Sequence, residues 1–170
     1  MITIEKALLV IDMQNAFVGK NHAKIFKYNR EELIKAVNER IAVYEKENVF
    51  YIRHLLKNNF INKLAPMKVF DGTYESEVVD EVNVVSDNIF TKYKGDALTN
   101  PELVKALEEK GIKEIEVVGL DGGGCVALTA ISALGKGIKV TFNQSAIGTM
   151  FEKRAERYKK IMLKKGAVVK

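Results

Sequence analysis

Short runs that are apolar almost throughout recur along the chain at Ala7–Ile11, Val49–Ile52, Asn88–Thr91, Glu114–Val118, Ile138–Phe142 and Ala167–Val169. Their lengths suit strands, and continuity in place of strict alternation marks strands covered on both faces. The segments between them have helical spacing. Arg30–Glu47 puts Leu33, Ile34, Val37, Ile41 and Tyr44 on one stripe, and Pro101–Lys110 opens with Pro in a first turn and stops at Gly111. Cys125–Gly135 and Thr149–Lys165 supply two more helices. Strands alternating with helices predict an α/β fold: a mainly parallel sheet, right-handed crossovers and helices on both faces. Ligands of such sheets bind beyond the carboxyl ends of the strands, so the residues that follow each strand are the candidates for function.

The 170 residues, 47% hydrophobic and 29% charged, make room for one domain spanning 1–170. A chain of this size buries roughly 70% of its unfolded surface, enough for a core without disulfides or structural metal. Cys125 is the single cysteine, either a buried thiol or a reactive one. Residues 1–12 are too short and too charged for a signal peptide, and nowhere do about 18 apolar residues run together, so a cytoplasmic protein without a membrane partner is expected. Much of the formal charge of +5 sits between Lys153 and Lys165. Those cations spread around a helix without interleaved aromatics, which reads as a solvated face and not as a nucleic-acid site.

Three strand ends carry chemistry. Asp12 follows four apolar residues at the end of the first strand, as a catalytic or metal-binding acid or as a turn cap. Lys92 occupies the corresponding edge after Phe90-Thr91. Gly119-Leu120-Asp121-Gly122-Gly123-Gly124-Cys125 follows the fourth strand, a glycine-rich turn that opens a helix with Cys125 at its start. Helix-start N–H groups and a nearby ammonium would lower the thiol pKa, and the same N–H groups could hold an oxyanion. A nearby aspartate could take the thiol proton and return it to a leaving amine. Phosphate binding competes for such a turn, but the spacing matches neither G-x-G-x-x-G nor G-x-x-x-x-G-K-[ST].

Taken together, residues 9–17, the stretch from Phe90 to Leu98, and residues 118–126 with Thr129, Ala130, Ala133 and Gly137 resemble the isochorismatase-like cysteine hydrolase superfamily. That superfamily includes nicotinamidases and N-carbamoylsarcosine amidohydrolase. The resemblance implies a Rossmann-like three-layer sandwich with a six-stranded sheet and an Asp12-Lys92-Cys125 triad. It further implies a thioester intermediate, an oxyanion hole from the backbone N–H groups of Asp121 and Cys125, and a cis bond between Leu120 and Asp121. Gln14 and Phe17 are the implied pocket residues. The expected partner is a small-molecule substrate, and a homodimer or higher homo-oligomer is expected.

Departures limit the transfer. Gly122 and Gly123 stand where the family usually has Thr and then Asp, Glu or Asn, and Asp96 and Leu98 stand where it has Ser and Phe. Asp96 reads best as a turn cap. The Asp-x-His metal motif of nicotinamidases is missing, since the region reads Tyr51-Ile52-Arg53-His54-Leu55-Leu56 and the only other histidine is His22. No metal and no cofactor are therefore expected, and His54 reads as a hydrogen-bonded structural residue. Amide hydrolysis leads the functional readings. A vinyl ether or thioester hydrolase, or a binding module on the same fold, are the alternatives.

Overall fold

The computed structural model describes residues 6–170. Six strands, β1 (Lys6–Ile11), β2 (Val49–His54), β3 (Ile89–Lys92), β4 (Glu114–Leu120), β5 (Lys139–Gly148) and β6 (Val168–Val169), form one sheet in the order β3-β2-β1-β4-β5-β6. Every pairing is parallel. The helices are α1 (Asn15–Val18), α2 (Arg30–Ile41), α3 (Phe60–Lys63), α4 (Pro101–Glu109), α5 (Cys125–Gly135) and α6 (Glu152–Lys164).

Alternation along each strand sorts the core into two layers. Ala7, Leu9 and Ile11 of β1, with Ile115 and Val117 of β4, pack against Leu103 and Leu107 of α4, four residues of α5 and Met162 of α6. Leu8, Val10, Val118 and Leu120 face the other way, onto Leu33, Ile34, Val37 and Ile41 of α2. Helices therefore cover both faces, and the uninterrupted apolar runs are explained. Each of the two long helices that open on asparagine is capped by it: Asn29 Oδ1 accepts from Glu31 and Glu32, and Asn100 Oδ1 accepts from Glu102 and Leu103 ahead of Pro101.

Three expected element boundaries shift by several residues. The helix expected over Arg30–Glu47 stops at Ile41, because Ala42 caps it and the chain turns. Tyr44, expected on the helical stripe, lies past that end and gives its hydroxyl to Glu116 (2.8 Å). The fifth strand, expected to end at Phe142, runs on to Gly148. Its polar stretch is tolerated because Asn143 donates to buried Glu116 (2.9 Å) and Ser145 donates to Asn143 (2.7 Å). The last helix correspondingly starts at Glu152 and not at Thr149.

Strand order reverses between β1 and β4, so the crevice beyond their carboxyl ends is the topological switch point of the sheet. Asp12 and the Leu120–Cys125 turn flank that crevice.

Candidate active site

Asp12 leaves β1 with φ +55°, a left-handed conformation that aspartate tolerates better than most side chains. Its backbone N–H donates to Ile52 O of β2 (2.9 Å), which ties the turn to the sheet. Gly119 lies beside Ile11 across the β1–β4 ladder. A Cβ there would sit 2.1 Å from Ile11 O, and φ is +106°, so only glycine lets β4 approach β1 this closely. The following Leu120–Asp121 bond is cis, as the resemblance implies. Packing also crowds the two glycines that depart from the family pattern, against a side chain at Gly122 and against backbone at Gly123. A Cβ at Gly122 would meet Thr149 Oγ1 at 2.4 Å, and one at Gly123 would meet Phe151 O at 2.5 Å.

Lys92 ends β3, two strands away from β1, a span of about 9.6 Å at the usual strand spacing. Its side chain reaches back past His54, its register partner on β2. Nζ there lies 2.9 Å from Asp12 Oδ2, 3.1 Å from His54 Nδ1 and 3.2 Å from Cys125 Sγ. Three N–H bonds meet three acceptors. Lys92 and Asp12 are almost wholly buried, at 1% and 4% exposure, while His54 and Cys125 are half-buried.

Burial alone would lower the Lys92 pKa, but Asp12 and Cys125 outweigh it and leave it raised, so the group is an ammonium. Burial, then the Lys92 charge, lowers the His54 pKa; the ring is neutral and accepts at Nδ1. Burial and the Asp12 carboxylate push the Cys125 thiol up to about 12 against the pull of Lys92. This reverses the low thiol pKa expected from the helix start. The one positive charge of Lys92 is already matched by Asp12, and a thiolate would leave a buried cluster with net negative charge. Asp12 Oδ1 is buried without a hydrogen-bond partner, which leaves a carboxylate oxygen free to take a proton.

The backbone N–H groups of Asp121 and Cys125 donate to no group of the described chain. The Asp121 side chain, by contrast, is committed: Oδ1 accepts from Gly123 N (2.8 Å) and Oδ2 from Met150 N. A cavity of about 300 Å³ opens over Asp12, His54, Leu120, Asp121 and Cys125, and Phe17, Phe26, Tyr28, Leu56, Met67 and Val69 supply much of its remaining wall. Gln14, expected to touch substrate, does not line this cavity. It is fully buried, its amide bonded to His54 O and Ser76 O (2.9 Å each) while Oε1 accepts from His54 N (2.7 Å). It thus fixes the end of β2 that presents His54. Asp96 caps a turn, accepting from Leu98 N (2.8 Å).

The model of the isochorismatase domain matches residues 6–169. The chain belongs to the isochorismatase family of hydrolases. It is 30% identical over 160 residues to nicotinamidase 3 of Arabidopsis thaliana, across 88% of this chain and 76% of that protein. Its fold matches the pyrazinamidase of Pyrococcus horikoshii in complex with zinc (TM-score 0.80, 23% identity, 98% of each chain). It also matches N-carbamoylsarcosine amidase of Thermoplasma acidophilum (TM-score 0.78, 21% identity, 98% of this chain and 95% of that one).

Asp12, His54 and Cys125 of this isochorismatase-family hydrolase offer ligand atoms within 4.8 Å of one another, the set from which a metal site could be built. Lys92 Nζ sits among them at 2.9–3.2 Å. Zinc needs such donors at about 2.0–2.3 Å, so their spacing fits an ammonium and not the metal. The residues do not fit a zinc centre. His54 is hydrogen-bonded, as expected of a structural residue, and in addition its ring lies on Lys92 and in the cavity wall, a place that follows from its position at the end of β2. Phe26, Tyr28, Met67 and Val69 escaped notice because they lie outside the regular elements, where no periodicity marks them.

Proposed function

We propose that the protein hydrolyses an amide C–N bond of a small molecule through a thioester on Cys125, with Asp12 as proton carrier and Lys92 as the cation that holds both. The observation that carries this reading is the Lys92 ammonium bonded at once to Asp12 and Cys125 at the floor of a cavity. As the sulfur attacks the carbonyl carbon, Asp12 takes the thiol proton, so no standing thiolate is required. The carbonyl oxygen gains the negative charge between the N–H groups of Asp121 and Cys125. Collapse expels the nitrogen, which leaves with the proton from Asp12. Water then adds to the thioester as Asp12 accepts its proton; collapse releases the acid, and that proton returns to the sulfur. Lys92 keeps its proton throughout and balances the charge that moves between Asp12 and Cys125. Phe17 contributes wall to the acyl pocket, and Gln14 positions His54.

Ammonia release from a panel of primary amides and carbamoyl compounds tests the reading. The wild type should turn over at least one of them, Cys125→Ala none, and mass spectrometry with a slow substrate should find an acyl adduct on Cys125. Turnover that survives Cys125→Ala would refute covalent catalysis.

A further inference from the structure

The polar side-chain atoms around the cavity are nearly all spoken for. Tyr28 Oη donates to Phe17 O, both Asp121 carboxylate oxygens accept backbone N–H groups, and Lys92 with the Lys94 backbone engages the His54 ring. The exceptions are Asp12 Oδ1 and the backbone N–H groups of Asp121 and Cys125, and all three lie at the reacting end. Beyond that cluster, Phe17, Phe26, Leu56, Pro66, Met67 and Val69 supply only carbon and sulfur side chains. No lysine or arginine is among the described lining residues, and both charged residues there, Asp12 and Asp121, are acids. Beyond the reacting amide, which faces the N–H groups of Asp121 and Cys125, an acyl group in this space meets no unpaired side-chain donor and no cation that is not already matched, since Lys92 is paired with Asp12. A carboxylate would be desolvated beside two acids, and a ring nitrogen would lose its water without gaining a partner.

We propose that this pocket selects an uncharged, apolar acyl group: an aromatic or short aliphatic carboxamide with no polar group beyond the reacting amide. This rests on the amide-hydrolase reading above. It sets the chain apart from relatives whose names specify a pyridine amide or an N-carbamoyl acid.

The test titrates Cys125→Ala with benzamide, hexanamide, nicotinamide and N-carbamoylglycine by calorimetry, in parallel with ammonia release by the wild type. Benzamide and hexanamide should bind at least about tenfold more tightly than nicotinamide, with N-carbamoylglycine weaker still, and wild-type kcat/KM should follow the same order. Leu56→Gln places a donor and an acceptor in the wall and should shrink the preference for benzamide over nicotinamide by about fivefold. Nicotinamide or N-carbamoylglycine bound as tightly as benzamide, or benzamide not bound at all, overturns the proposal. Selective binding of the apolar amides without their hydrolysis by the wild type would support the pocket and sink the hydrolase reading instead. Hydrolysis with polar amides preferred would do the reverse.

Discussion

Lys92 meets the Asp12 carboxylate, the His54 ring and the Cys125 sulfur within hydrogen-bond reach, and this single contact set decides two measurable properties. The first is thiol reactivity. With the Cys125 thiol pushed up to about 12, alkylation by iodoacetamide should be slow at neutral pH and climb about tenfold per pH unit through the alkaline range. A plateau already reached at mildly acidic pH would show a resting thiolate. The second is indifference to chelators. Because the ammonium fills the space among the donors, EDTA should leave activity unchanged; loss on EDTA with recovery on added zinc would show that a metal displaces Lys92. Asp12, Lys92 and Cys125 were legible as strand-end residues that a parallel sheet gathers at one edge. The direction of the Cys125 shift was not, since it depends on how many charges share one buried cluster.

At the scale of elements, Glu116 of β4 is 2% exposed and accepts from Arg40 of α2 twice (2.7 and 2.9 Å), from Tyr44 and from Asn143 of β5. Burial would raise the Glu116 pKa, but these hydrogen bonds outweigh it and hold it low. A carboxyl depressed in the folded state contributes stability that is present above its unfolded pKa, about 4.3, and lost as pH falls through the folded value. Because Arg40 is partly exposed and Tyr44 and Asn143 stay on Glu116, Arg40→Met should cost about 1.5–3 kcal/mol in urea unfolding at neutral pH and move acid unfolding to higher pH. An unchanged midpoint in both would mean that α2 is held by its apolar stripe alone. The same cluster explains two of the boundary shifts. Tyr44 continued the helical spacing of α2, and Asn143 broke the apolar pattern of β5. Their shared partner lies on another strand, where neither local pattern can reveal it.

At the scale of the whole molecule, alternation of apolar runs and helical stripes was enough to read a doubly covered parallel sheet, and the order of its strands explains why the site lies between β1 and β4. Wall residues from the loops at 26–28 and 65–69 had no such pattern to announce them. The same strand order makes the site thermally uneven. β1, which leads into Asp12, and β4, which leads toward Cys125, are central, whereas Lys92 comes from a four-residue strand at the rim, held in the sheet by β2 alone. Rim strands open locally at a smaller free-energy cost than central ones. On warming, the amides of Ile89–Lys92 should exchange with deuterium ahead of those of β1 and β4, and inactivation should precede the far-ultraviolet circular dichroism transition. Coincident transitions would show that the rim melts only with the rest. The working temperature ceiling of this enzyme would then be set by a short piece of peripheral chain, and a more tightly anchored β3 would raise it without any change to the cavity.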